Sequence, residues 1–226
     1  MKATFPTAPA LAGVFTVMAL GVGAPHGISA QDDEALALMR EASTRYEALE
    51  GFCATFSQTL FVPLLEETTQ SRGSLCQARP NLFAMRFTEP EGDVLVSDGE
   101  WFWIYYPSSD PKQVLQFDMA TAPGGVDFQR EFLEAPQERY ELSYHGEEPI
   151  AGRATQVVSL EPLEPVGFRE ARIWLDVDRS LILQARITME EGSVRTVTLS
   201  DIRLNPPEDP ARFRFSPPDG ARIIRR

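Results

Sequence analysis

The stretch GFCATFSQTLFVPLLEETTQSRGSLCQARPNLFAMRFTEPEGDVLVSDGEWFWIYY, residues 51–106, decides the fold. From Phe52 onward, large apolar side chains alternate with small or polar ones. Phe52, Ala54, Phe56 and Leu60 fall on one side of the chain, and Cys53, Thr55, Ser57 and Thr59 on the other. A period of two is that of a half-buried strand. Further strands are expected over about 68–78, 82–88, 93–97 and 101–106. Breaks at Pro63–Glu66, Arg79-Pro80-Asn81, Glu89–Gly92 and Asp98-Gly99 separate them, and the last is a hairpin signal.

Upstream, Lys2 is the sole charge before Asp32, and an apolar run rich in small residues spans Leu11 to Ala24. This has the length of an export signal core rather than a membrane span. Residues 1–30 therefore read as a signal peptide cleaved after Ala30, and 31–226 as a single exported domain. An uncleaved anchor is disfavoured by the glycines and by Pro9 and Pro25. In an oxidising compartment Cys53 and Cys76 read as a disulfide rather than as two buried thiols.

Among 226 residues, 33 are acidic and 21 basic, for a net charge of −12. That balance argues against a nucleic-acid partner, because binding a phosphate backbone needs clustered cations. With two histidines and two cysteines, a His/Cys zinc site is all but excluded. Hydrophobic residues make up 43% and charged residues 24%, the balance of a folded domain rather than a disordered chain.

A Cys53–Cys76 pair across antiparallel strands sets Ala54 opposite Leu75 and Phe56 opposite Gly73. The Pro80 turn then sets Leu75 opposite Met85, and the Glu89 turn sets Met85 opposite Val96. A two-residue Asp98-Gly99 turn sets Val96 opposite Trp101. One face would gather Phe52, Ala54, Phe56, Leu60, Leu75, Phe83, Met85, Phe87, Val94, Val96, Trp101, Trp103 and Tyr105. The other would hold the cysteines, Ser74, Arg86 and a secondary apolar group of Leu95, Phe102 and Ile104. A slip of one residue would exchange the faces.

Before this meander, Leu36, Met39, Ala42 or Ser43, Tyr46 and Leu49 recur at helical spacing from Asp32 to Gly51. After it, residues 119–137 read as a short amphipathic helix on a Gly124-Gly125 hinge, with Val126, Phe128, Phe132 and Leu133 on its apolar side. Strands follow near 140–144, 154–160, 168–177, 181–189 and 193–204, with a last short one at Phe213–Phe215. The expected fold is mainly β: an incomplete antiparallel β-barrel of about ten to eleven strands, closed by an N-terminal helix and a short lid helix. A sheet that large must curl.

No catalytic constellation stands out, and no cofactor or metal is expected. His26 leaves with the signal, and His145 is expected in a solvated Tyr-His-Gly-Glu-Glu turn. The acidic pairs Glu147/Glu148 and Glu190/Glu191 read as solubilising turn residues. An enzyme, such as a hydrolase with an apolar pocket, is therefore the minority reading. An aromatic face under a short, charged lid points to an apolar ligand instead.

The segment Gly73-Ser-Leu-Cys-Gln-Ala-Arg79-Pro-Asn-Leu-Phe83 resembles the periplasmic outer-membrane lipoprotein carrier family (LolA). So do Phe52–Gln58, Glu89-Pro90, Leu95–Gly99, Trp103–Pro107 and Phe213–Gly220. The resemblance implies a periplasmic chaperone without covalent chemistry. Such a chaperone takes acylated lipoproteins from an inner-membrane lipoprotein-releasing transporter to an outer-membrane acceptor, as a monomer and without stable membrane insertion. It implies an acyl-chain cavity, expected here at Phe56, Leu75, Phe83, Met85, Phe87, Val94, Val96, Trp103 and Tyr105. It also implies that Arg79 latches the lid by hydrogen bonds to lid backbone, with Phe83 near the transfer interface. The alternative is a lipid- or lipoprotein-sensing periplasmic regulator of a membrane anti-sigma factor.

Overall fold

The structure is a computed structural model and describes residues 1, 30–119, 129–207 and 209–226. The expected signal segment, apart from its ends, and the lid positions Val126 and Phe128 lie outside the described residues. Helix α1 (Ala30–Glu47) leads into β1 (Gly51–Val62), β2 (Glu67–Ala78), β3 (Leu82–Glu89), β4 (Glu91–Asp98), β5 (Trp101–Tyr105) and β6 (Gln113–Asp118). A π turn (Gln129–Leu133) and a one-turn helix α2 (Pro136–Arg139) precede β7 (Tyr140–Glu147), β8 (Thr155–Pro162), β9 (Phe168–Asp176), β10 (Ile182–Met189) and β11 (Val194–Leu204). A 3-10 turn (Pro210–Phe213) and β12 (Arg222–Arg225) end the chain.

The described strands form one twelve-stranded sheet in the order β12-β6-β5-β4-β3-β2-β1-β11-β10-β9-β8-β7. It does not close, since β12 and β7 are its two edges. Every pairing is antiparallel except β12 with β6, which is parallel. A single core joins α1 to residues from β1–β5 and β7–β11. Only a sheet curled around the helix brings strands so far apart in the order onto one cluster.

The face of α1 turned inward carries Ala35, Met39, Ala42, Tyr46 and, just past its end, Leu49, all buried. Ala35 takes the place expected for Leu36, which packs at the margin. The Tyr46 hydroxyl accepts the Ile182 N–H at 3.2 Å, and its ring meets Phe52 edge-on at 5.6 Å. These contacts hold the helix to both arms of the sheet.

The register of β1, β2 and β3 is as expected: Cys53 faces Cys76, Ala54 faces Leu75, and Leu75 faces Met85. The disulfide is formed, with Cα atoms 4.1 Å apart and a separation of 23 along the sequence. Loop-closure entropy for that span gives it about 3 kcal/mol of stabilisation. A Cys53→Ser/Cys76→Ser double variant is expected to lose about that much in urea unfolding. A loss below about 1 kcal/mol would mean the unfolded chain gains little freedom from reduction.

Beyond β3 the expected register fails. A β-bulge puts one extra residue into β4, where the three steps from Glu91 to Val94 face only the two from Thr88 to Arg86, so Val94 faces Arg86 and Leu95 faces Met85. The next turn is Gly99-Glu100 rather than Asp98-Gly99. It is closed by the Asp98 carboxylate, which accepts the N–H groups of Glu100 and Trp101 at 3.0 and 2.8 Å. This puts Val96 opposite Trp103. The bulge turns β4 and β5 over together. Leu95, Phe102 and Ile104 join the inner core, while Val94, Val96 and Tyr105 join an outer cluster with the disulfide.

That outer cluster is covered by the C-terminal segment. Phe213 is buried in it, and Phe215 stacks obliquely on Trp103 and Tyr105 at 5.8 and 5.7 Å. Arg86 donates to the carbonyls of Arg212 and Arg214 at 3.1 and 2.9 Å. The short strand expected at Phe213–Phe215 is thus a 3-10 turn, capped by Asp209, followed by extended chain. The strands missed from sequence are β6 and β12. His145, expected in a turn, lies within β7, where its Nε2 is 2.7 Å from the Ser159 hydroxyl on β8.

Candidate functional site: the covered inner face and its cleft

The inner face of β1–β5 carries a run of buried apolar side chains. Phe56 is 0% exposed, and Leu75, Phe83, Met85 and Phe87 are 1, 3, 5 and 9% exposed. Phe56 and Phe87 meet edge to face at 5.0 Å, an arrangement in which ring edge and ring face attract. Five of the nine expected cavity residues therefore share this surface. The other four, Val94, Val96, Trp103 and Tyr105, are corrected to the outer face, because of the bulge in β4. Leu95 and Phe102 replace them inside.

Among the described residues no second sheet covers this surface; α1 and the segment from Gln129 to Arg139 do. In that segment Phe132 and Leu133 are 0 and 1% exposed. Phe132 meets Phe168 edge-on at 6.0 Å. The expected amphipathic lid helix is here a π turn followed by α2, with Ala135 between them in the left-handed region (φ 46°). A polar knot anchors it. Arg139 donates to the Glu131 carbonyl and carboxylate at 2.7 and 2.9 Å, and the Tyr140 hydroxyl meets the same two groups at 2.8 and 2.7 Å. Burial first, then the hydrogen bond to the Glu131 carboxylate, pushes the Tyr140 phenol far above its ordinary range. It therefore stays protonated and acts as a donor throughout the neutral range.

Two further bonds tie the cover together and to the sheet. The Ser43 hydroxyl on α1 donates to the Leu133 carbonyl at 2.9 Å. Arg79, on the turn after β2, donates from Nε to the Leu49 carbonyl at 2.9 Å and from Nη2 to the Tyr46 carbonyl at 3.3 Å. Its own N–H meets the Glu50 carbonyl at 2.9 Å. The last carbonyls of a helix lack partners within it, and a guanidinium with several donors satisfies them while answering the negative helix end. Arg79 thus does bind cover backbone. Among the described residues, however, that backbone is the end of α1 and not the 126–133 segment.

Where these elements meet, a cleft of about 550 Å³ opens between the end of α1, the Arg79-Pro80-Asn81 turn, Met119 and Leu133-Glu134. Phe52, Leu82 and Leu133 give it an apolar floor, and Glu47, Glu50 and Arg79 a charged rim. Sequence reasoning missed this cleft because its walls come from separate segments, residues 43–52, 77–82, 119 and 133–134. Among the described residues no cluster of three or more His, Cys, Asp or Glu side chains is placed to hold a metal ion. No described helix is long and apolar enough to cross a membrane.

Comparison with known proteins bears on this arrangement. A family model described as "Outer membrane lipoprotein carrier protein LolA" matches residues 47–216. A Vibrio vulnificus protein named outer-membrane lipoprotein carrier protein is 25% identical over 185 residues, 81% of this chain and 88% of its own. A protein of the same name from Alkalilimnicola ehrlichii is 28% identical over 161 residues, covering 71% and 70%. The crystal structure of an uncharacterised conserved protein from Thermus thermophilus shares the fold, with a TM-score of 0.52 at 15% identity over 86% of this chain and 98% of that one.

Proposed function

Since the chain belongs to the outer-membrane lipoprotein carrier family, we propose that it is a periplasmic carrier that shelters the acyl chains of lipoproteins against the inner face of its sheet. It receives them from an inner-membrane lipoprotein-releasing transporter and yields them to an outer-membrane acceptor. The observation that carries this reading is the cover. A broad aromatic surface is closed by one helix and one irregular segment, held by a handful of polar bonds, rather than by a second sheet.

Phe56, Leu75, Phe83, Met85 and Phe87 form the binding surface, and Phe132 and Leu133 occupy it when no cargo is present. Cover and acyl chain bury the same apolar area, so each displaces the other at little net cost. Each such side chain is worth about 1.5–3 kcal/mol to whichever partner buries it. Arg79 adds a directional bias toward closure through the α1 carbonyls. Cargo leaves when the acceptor's contacts and the closing bonds together exceed the acyl-chain burial.

Protein isolated from its native periplasm is expected to co-elute with acylated peptides in mass spectrometry, and purified protein is expected to release lipoproteins from spheroplasts in soluble form. If neither occurs, the reading is abandoned. Arg79→Leu removes closing bonds and leaves the apolar face intact. It is expected to retain bound lipoprotein and slow delivery to outer-membrane vesicles about tenfold. Delivery at the wild-type rate would remove Arg79 from the latch.

A further inference from the structure

We infer that the inner face carries a second, polar subsite at the end remote from Arg79, built on Arg195, that receives the anionic head group of a single-chain amphiphile, a carboxylate or a phosphate. This rests on the carrier reading to the extent that the inner face must open to an acyl chain.

Arg195 stands on β11 opposite Leu60 of β1 on one side and Ile187 of β10 on the other. Steps of two residues along β11 reach Val197 and Leu199, both in the inner core, so the Arg195 side chain rises from the same face. Its Nε is buried and has no hydrogen-bond partner. It forms no ion pair with a described carboxylate, whereas Arg72, Arg139 and Arg153 each meet one. A donor withdrawn from water and left unmatched is costly, and such groups are ordinarily paired.

Its surroundings suit a head group. Tyr106 follows Ile104 on the inner-facing side of the chain, and its ring packs edge-on against Phe87 at 6.2 Å. Burial raises the Tyr106 phenol above its ordinary value, the neighbouring Arg195 charge draws it down, and the Asp93 carboxylate, itself held by the Ser108 N–H and hydroxyl at 3.1 and 2.7 Å, raises it to a smaller extent. Gln58 lies two positions before Leu60 on the same face, its amide donating to the Ser71 hydroxyl at 3.2 Å. A guanidinium, a phenol and an amide thus gather beside Leu60 and Phe87. From Leu60 to Phe52 the strand runs ~27 Å at the usual rise. A head group held at Arg195 leaves its tail lying along Phe56 toward the cleft. The ester and amide carbonyls of acylated cargo are neutral, so Arg195 separates anionic from neutral amphiphiles.

Displacement of the neutral dye N-phenyl-1-naphthylamine from the purified protein tests this. The competitors are dodecanoate, dodecyl phosphate and dodecanol, each below its micellar concentration. At least one anion is expected to compete about tenfold better than the alcohol, as a charge-assisted contact implies. The two anions together show which head group the site prefers. Arg195→Gln is expected to bring the anion down to the level of the alcohol without changing the alcohol, and Arg195→Lys to keep part of the preference. Equal competition by anion and alcohol in the wild type overturns the subsite and leaves the carrier reading standing, as does an anion preference that survives in Arg195→Gln. Failure of all three to displace the dye overturns both.

Discussion

Phe132→Ala is expected to loosen the cover and cost about 3–5 kcal/mol, the range for a fully buried aromatic truncated in a packed site. Phe132 has no exposed surface and meets Phe168 edge to face at 6.0 Å, so truncation leaves a void and forfeits a ring contact. The knot of Glu131, Arg139 and Tyr140 beside it is untouched, and it holds the local backbone in place. The void is therefore expected to persist rather than collapse. Two measurements check this. The urea midpoint falls, and uptake of a neutral apolar dye rises, because the side chain that competed with it is gone. A lowered midpoint with unchanged dye uptake would mean that Phe132 is core alone and that the surface beneath it does not open.

Gly73→Ala is expected to be nearly as damaging, although it adds only one methyl group. A Cβ there would overlap the Arg86 carbonyl oxygen and lie 2.8 Å from the Phe87 Cα, both of them backbone. Backbone in mid-sheet does not step aside as a flexible side chain does. Strands β2 and β3 must part at Phe87, beside the bulge in β4, at a cost of about 3 kcal/mol. Since the bulge sets which face of β4 and β5 is inward, the variant is also expected to disturb the inner surface at Leu95 and Phe102. Ser74→Ala, one position on and exposed, is the control and is expected to stay within about 0.5 kcal/mol of wild type. Equal stability of the two variants in thermal and urea unfolding would show that the sheet yields at Gly73.

Where a strand has one face buried and one face wet, its side chains declare the orientation. This is why Phe52–Leu60 could be placed and why the pairing of Cys53 with Cys76 carried Leu75 and Met85 inward. In β4 and β5 that signal is lost. Val94-Leu95-Val96 and Trp101–Tyr105 are apolar at successive positions, since the core covers one face and Phe213 and Phe215 cover the other. With no alternation to read, register rested on turn length. A bulge of one residue then exchanged the faces of Val94, Val96, Trp103 and Tyr105. In the second half the pattern is clearer at Ala171 and Ile173, on either side of the partly exposed Arg172, and at Ala185 and Ile187, on either side of the exposed Arg186.

From residues alone came the antiparallel meander, the helix that precedes it, the disulfide and the inward set of Phe56, Leu75, Phe83, Met85 and Phe87. Each is a local pattern or a pairing across a short turn, and nearby residues are enough to specify it. Tertiary packing alone decided that Arg79 grips the end of α1, that the C-terminal segment roofs the outer face, and that the Arg195 Nε is left within the inner one without a partner among the described residues. Those outcomes rest on contacts between segments distant in sequence, about thirty residues apart for Arg79 and α1 and more than a hundred for Arg86 and Arg214, which no local pattern specifies.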